Sequence, residues 1–118
     1  MNKKPALLAG SFLIIAAVSP MLAGAAEMDA DAVQALMKKS NCSKCHAVDK
    51  KKDGPPYKET AKKYKEKYKD QAEAEQKLYT HLTTNPKVKV DDKEEEHTSL
   101  KTKNEAEIRS VIKWILTR

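Results

Sequence analysis

Residues 42–46 read Cys42-Ser43-Lys44-Cys45-His46, and they contain both cysteines of the 118-residue chain. In a C-x-x-C-H run, the two thiols can add to the two vinyl groups of one haem, and the histidine can bind the iron from the same turn. The motif therefore predicts one covalently attached haem c, bound through Cys42 and Cys45, with His46 as the proximal axial ligand of the iron.

Three other uses of these cysteines are open at this point. A thioredoxin-like redox pair also has C-x-x-C, but at the start of a helix that follows a strand, whereas here a predicted helix precedes the motif. A zinc site could draw on Cys42, Cys45, His81 and His97, although the two histidines are much farther apart in the sequence than the usual spacing of such ligands. A plain disulfide would need no histidine. Haem attachment uses both cysteines and the histidine of the motif.

Residues 1–26 have the pattern of an export signal. Lys3 and Lys4 form a positive start, residues 6–18 are largely apolar, and Ala23-Gly24-Ala25-Ala26 offers small residues to a signal peptidase. The apolar run is too short to span a bilayer core of about 30 Å comfortably. We therefore expect residues 1–26 to be removed, no stable membrane insertion afterwards, and residues 27–118 to form one domain.

Charge and size limit the possible functions of the remaining domain. Removal of residues 1–26 takes away two lysines and no acidic residue, so the formal charge falls from +6 to +4. A nucleic-acid-binding surface would need a denser basic block on one element, so we expect no nucleic-acid partner. We expect a monomer whose partners are redox proteins. A domain of this size buries only about 60% of its unfolded surface. A haem would add apolar surface to the small interior of such a domain. We therefore expect the haem-free chain to fold poorly.

Periodic apolar residues predict helices through most of the domain, and the fold class is all-α. The first helix begins at the N-cap Asp29 and reaches about Ser40, and the second and third cover 58–68 and 72–83. The last helix begins after Asn104, with Glu107 completing a capping-box pattern. Between 85 and 103 no helix is predicted, although the alternation in residues 87–90 is typical of a short strand or hairpin arm.

The order of these features resembles the bacterial class I cytochromes c. Beside the cysteine motif, the matching stretches are Gly54-Pro55-Pro56-Tyr57-Lys58, Ala61-Lys62-Lys63-Tyr64 and Trp114-Ile115-Leu116. The resemblance implies three to four helices around one covalently bound haem, and the export signal implies a periplasmic location. It also implies that the first and last helices cross, so that Val33 and Leu36 meet Ile108, Ile112 or Ile115.

The resemblance further implies a set of residues around the haem. Pro55 would place its carbonyl on the imidazole of His46, which would fix the ring and increase its donor strength. Tyr57 and Tyr64 are expected either against the haem or in ordinary packing between helices.

The chain departs from this family at the sixth iron ligand, which is usually a methionine in the loop before the last helix. No methionine follows His46, but His97 lies seven residues before Asn104, about where that methionine would stand. We therefore predict coordination by His46 and His97. The alternatives are His81, which shares a helical face with Leu78, or an open site, or one of three lysines: Lys93, Lys101 and Lys103.

The sixth ligand decides between two functions. Six-coordinate iron changes its bond lengths little on reduction, which suits an electron carrier, and histidine in place of methionine should lower the reduction potential. An open or weakly held sixth site would instead make the domain a binder or sensor of nitric oxide, carbon monoxide or oxygen. A haem enzyme would also need an acid–base residue fixed above the iron, so we do not expect an enzyme.

Overall fold

The structure is a computed structural model, and it describes residues 27–118. The predicted export signal, residues 1–26, lies outside the described residues. The described chain forms five helices and one two-stranded ribbon, in the order α1 (Ala30–Lys39), α2 (Cys42–Cys45), α3 (Tyr57–Lys67), α4 (Gln71–Thr83), β1 (Lys87–Val90), β2 (Lys93–Glu96) and α5 (Glu105–Leu116). None of the helices in this part of the chain is long and apolar enough to cross a bilayer.

Helix α1 begins and ends close to its predicted bounds. The Asp29 side chain accepts a hydrogen bond of 2.8 Å from the backbone N–H of Ala32, which satisfies one of the free donors of the first turn. The helix ends at Ser40 because Asn41 adopts a left-handed conformation, with φ 61°. Asparagine tolerates this conformation better than most residues. The chain then turns into α2, a single helical turn that was not predicted as a helix of its own.

Helices α3 and α4 follow the predicted pattern to within one or two residues. Tyr57 and Ala61 are buried on the inner face of α3, and Tyr64 and Tyr68 on the same face are half-buried. Helix α4 ends at Thr83, shortly before Asn85-Pro86. The residue before a proline is excluded from the helical region by steric contact, and Asn85 has φ 48°.

The long segment after α4 contains a ribbon that extends the predicted strand into a hairpin. β1 pairs with β2 in antiparallel register from Lys87–Glu96 to Val90–Lys93. Asp91 and Asp92 both have positive φ, as a two-residue type I′ turn requires. Among the helices and strands of residues 27–118, each strand of the ribbon packs only against the other strand. β2, which carries the acidic run Glu94-Glu95-Glu96, is exposed along its whole length.

Helix α5 lies at the centre of the fold and packs against α1, α3 and α4. As predicted, Val33 and Leu36 of α1 share one core with Ile108, Ile112 and Ile115 of α5. The other buried apolar side chains of this core are Met37, Tyr57, Ala74, Leu78, Leu82, Leu100, Val111, Trp114 and Leu116.

The N-terminal cap of α5 differs from the predicted capping box in one bond. The Asn104 side chain accepts hydrogen bonds from the N–H groups of Ala106 and Glu107, as a cap does. The Glu107 carboxylate does not return to the backbone of Asn104; it accepts a bond from the Thr102 hydroxyl, and the N–H of Asn104 donates to that same hydroxyl. Thr102 thus takes the place that Glu107 was expected to fill.

Candidate functional site

The cysteine motif lies on α2 and the residue after it. Cys42 and Cys45 are at the two ends of one helical turn, and both thiols are free. Burial raises the pKa of the Cys42 thiol. His46 follows in an extended conformation, and its N–H donates to the carbonyl of Cys42 at 2.9 Å. The two thiols and the imidazole therefore come from one short, internally bonded segment.

The carbonyl of Pro55 holds the imidazole of His46. Its Nδ1 lies 2.7 Å from the carbonyl oxygen of Pro55. A carbonyl can only accept, so Nδ1 carries the hydrogen and Nε2 is left with a free lone pair, which is the state of a metal-ligating histidine. This is the contact that the resemblance implied for Pro55.

Gly54 lies against the same ring. A Cβ built on Gly54 would come 2.8 Å from Nδ1 of His46 and closer still to Cε1, well inside van der Waals contact. The loop that carries Gly54 is tied to the motif, because the N–H of Gly54 donates to the carbonyl of Cys45 at 2.8 Å. No role was predicted for Gly54; the available signal was that it is the only glycine after residue 26 and lies beside Pro55.

Tyr57 links the imidazole to the core. Its ring stacks on His46 with centroids 5.4 Å apart and meets the ring of Trp114 edge-on at 5.5 Å. Burial raises the pKa of the Tyr57 phenol, so the phenol stays protonated. Tyr64 lies farther along α3, half-buried beside Tyr68 with centroids 5.5 Å apart. Both tyrosines take part in packing between helices, and their predicted haem contacts stay predictions.

The fold brings all three histidines of the chain together. The ring centroids of His46 and His97 are 6.2 Å apart, and those of His97 and His81 are 4.3 Å apart. Desolvation lowers the pKa of His97 to about 4, with further contributions from His81 and His46. Desolvation, followed by the effect of His46, also lowers the pKa of His81. Both rings are therefore neutral at pH 7, the form that can bind a metal.

His97 is placed by the base of the ribbon. Its backbone N–H donates to the carbonyl of Pro86 at 2.8 Å. Two residues on, the Ser99 hydroxyl bonds the Asn85 side chain, and the N–H of Leu100 donates to the carbonyl of Leu82 at 3.0 Å. The segment with His97 is thus fastened to the end of α4, which also carries His81. No local pattern in the sequence marks these bonds.

A second link joins this segment to the cysteine motif. Ser40, at the end of α1, is 2% exposed, and its hydroxyl accepts a bond of 2.9 Å from the N–H of Lys101. The loop with His97 is therefore held at both ends, by α4 and by the turn that leads into α2.

These observations decide between the uses of the cysteines. A helix precedes the motif and helices surround it, which excludes the strand–motif–helix arrangement of a thioredoxin-like pair. Residues 27–118 contain no group of three or more histidine, cysteine or acidic side chains arranged to hold a metal ion, which argues against the zinc site. Two cysteines on one turn, beside an imidazole with its Nε2 available, are the donor set that a haem c requires.

A model of the cytochrome c family matches residues 30–118. The chain is a member of the cytochrome c family. Among solved structures, it is similar to the crystal structure of the class 1 cytochrome MtoD from Sideroxydans lithotrophicus ES-1, with 47% identity and a TM-score of 0.64. The similarity covers 75% of this chain and 95% of that one. The comparison with curated proteins gave no match.

Family membership confirms the predicted fold class and cofactor. This class I cytochrome c is a mostly helical protein that holds a haem c covalently, and Cys42 and Cys45 fit the attachment motif. As a cytochrome c it is a monohaem electron-transfer protein, and such carriers exchange electrons with redox partners. The bound haem supplies the one-electron ferric–ferrous couple of the iron.

Proposed function

We propose that this cytochrome c is a periplasmic one-electron carrier of low potential, whose haem iron is held by His46 and His97. The observation that carries the proposal is the distance of 6.2 Å between the centroids of the two rings. One iron held by both rings, with metal–nitrogen bonds of about 2.0 Å and about 1.1 Å from each nitrogen to its ring centre, would separate the two centres by about 6 Å. The spacing of the two rings thus fits one iron between them.

The protein supports both rings from outside the iron. Pro55 and Gly54 fix the His46 ring, and the bond of the His97 backbone to Pro86 fixes the other ring at its base. Ligands held in this way shift little when the iron changes charge, which keeps the reorganisation cost of electron transfer low. Imidazole at the sixth position favours ferric iron more than a methionine sulfur does. The potential is therefore expected to be lower than in a histidine–methionine cytochrome.

The periplasmic location and the cleavage site are supported by the sequence of residues 1–26. The positive start, short apolar run and small-residue site are typical of a secretory signal. The test is the mass of the holoprotein isolated from the periplasmic fraction. It should equal that of residues 27–118 plus one haem, and retention of residues 1–26 in a membrane fraction would contradict the proposal.

Optical and electron-paramagnetic-resonance (EPR) spectra of the ferric and ferrous holoprotein test the ligation. We expect a low-spin ferric signal without the red absorption band of a sulfur–iron bond, lost in His97→Ala and retained in His81→Ala. A signal lost only in His81→Ala would make His81 the ligand, and a signal that survives both substitutions would point to a lysine. A high-spin signal with ready carbon monoxide binding would favour a gas-binding protein instead.

A further inference from the structure

The imidazole of His97 has one polar atom without a partner. Its Nδ1 is buried and makes no hydrogen bond. A backbone contact with Thr98 raises the pKa of the ring, but it does not meet hydrogen-bond geometry at Nδ1. A buried nitrogen without a partner costs free energy, so such an atom in a native protein calls for an explanation.

If His97 binds the iron, its Nδ1 needs a hydrogen-bond acceptor. When Nε2 binds a metal, the hydrogen of the neutral ring lies on Nδ1, and metal-bound histidines almost always donate it to an acceptor. His46 follows this pattern, since its Nδ1 donates to the carbonyl of Pro55. The inference rests on the proposed ligation. The partner to be found for His97 is an acceptor for its Nδ1 hydrogen, as Pro55 is for His46.

His81 is the polar side chain in contact with the His97 ring. The two centroids are 4.3 Å apart and the ring planes are tilted by 48°. His81 lies in the last turn of α4, the same end of the helix to which Leu100 is bonded. Its own ring is half-buried, and a neutral histidine ring carries one acceptor nitrogen. A hydrogen bond between the two rings requires one His81 nitrogen at about 3 Å from Nδ1.

We infer that His81 is a positioning residue for the distal ligand: its ring accepts the Nδ1 hydrogen of His97 and so fixes the orientation and increases the donor strength of that imidazole. All three histidines then have separate roles, with His46 and His97 on the iron and His81 behind His97. Loss of the acceptor makes His97 a weaker donor, which favours ferrous over ferric iron.

The test compares the holoprotein with His81→Phe, which keeps a ring in the contact but removes the acceptor. His81→Asn and His81→Gln restore an acceptor at the two distances that a histidine ring offers. Thr80→Ala, an exposed neighbour on α4 whose hydroxyl donates to the carbonyl of Gln76, is the matched control. The readouts are the midpoint potential and the low-spin EPR g-values of the ferric form.

We expect His81→Phe to stay low-spin with altered g-values and to shift the one-electron equilibrium toward the ferrous form by about tenfold, the lower end of the effect of such partners. Tenfold corresponds to about 59 mV upward for one electron. At least one of the amide variants should return most of the shift, and Thr80→Ala should cause none. A merely structural role would not be rescued by an amide.

Other outcomes separate this inference from the proposed function. An unchanged potential and unchanged g-values in His81→Phe, with His97→Ala losing the low-spin signal, would overturn the role of His81 and leave the ligation intact. A high-spin signal in His81→Phe, with His97→Ala still low-spin, would make His81 the ligand and overturn both. A low-spin signal in both single variants would also overturn both, because the sixth ligand would then be neither histidine.

Discussion

The backbone N–H of His97 donates a hydrogen bond of 2.8 Å to the carbonyl oxygen of Pro86, across the base of the β1–β2 ribbon. The two ends of the ribbon are thus joined to each other by this hydrogen bond where they meet the helical part of the fold. The position of His97 is set by this pair and by the neighbouring bonds of Ser99 and Leu100, rather than by the ten residues between Pro86 and His97.

Shortening the ribbon should therefore leave the distal ligand in place. Deleting Lys89-Val90 from one arm and Lys93-Glu94 from the other keeps the Asp91-Asp92 turn and the pairing of Val88 with Glu95. The exposed ion pair of Lys87 with Glu94, which is lost, is worth less than about 1 kcal/mol. We expect an unchanged low-spin spectrum and haem content. A switch to high-spin iron would show that the outer ribbon is needed to hold His97.

Ser40→Ala should destabilise the holoprotein, because it leaves the N–H of Lys101 without its buried partner. We expect the free energy of unfolding to fall by about 1–2 kcal/mol, as for other buried donors that lose an acceptor. Guanidinium unfolding of the ferric protein measures it. Ser43→Ala removes the same group from an exposed position in the motif and should stay within about 0.5 kcal/mol of the parent. Equal effects of the two substitutions would refute the link.

Gly54→Ala should disturb the proximal ligand. The added methyl group would lie 2.8 Å from Nδ1 of His46 and closer still to Cε1. The ring cannot move aside without losing its bond to Pro55, so overpacking should cost about 1–3 kcal/mol. We expect a lower thermal midpoint and faster carbon monoxide binding to the ferrous form. Asp53→Ala, at the exposed neighbouring position, is the control. Parent-like behaviour of Gly54→Ala would mean that the loop yields without cost.

Acid should release the distal ligand only at low pH. Desolvation lowers the pKa of His97 from 6.5 to about 4, so the folded chain holds the neutral, iron-binding form of the ring. The unfolded chain takes up a proton near pH 6.5. The stability that the neutral ring contributes to the folded chain is therefore complete above pH 6.5, declines as the pH falls from there, and is lost below about pH 4. In an EPR titration the low-spin signal should persist at pH 5; conversion centred near pH 6.5 would contradict the prediction.

Removal of the haem should abolish cooperative folding. The Cys42→Ser/Cys45→Ser double variant cannot attach haem covalently, and the haem-free chain loses the apolar group expected at the centre of a small core. Far-ultraviolet circular dichroism should show reduced helix content and no sharp thermal transition. Addition of free haemin, with His46 and His97 still present, should restore part of the helix signal. A native-like cooperative melt without haem would show that the helical core is sufficient.

The sequence by itself determined the cofactor, the four longer helices of residues 27–118 and the family. These follow from local patterns: C-x-x-C-H on one turn, capping residues such as Asp29 and Asn104, and apolar residues at helical spacing. The hydrogen bond from His46 to Pro55 also followed, since the resemblance rests on the Gly54-Pro55 stretch that forms it. Local patterns carry such features because each depends on residues close together in the chain.

Only the tertiary structure decided how the three histidines are arranged. His81 and His97 are separated in the sequence by the end of α4 and the whole ribbon, and no periodicity relates a helix face to a position after a ribbon. Their contact depends on the bonds of the His97 segment to Pro86 and Leu82, and on the bond from Lys101 to Ser40, 61 residues away. Contacts between distant segments arise from the packing of the whole chain. For this reason the sequence could offer His97 and His81 as alternatives, but it could not show that they lie against each other.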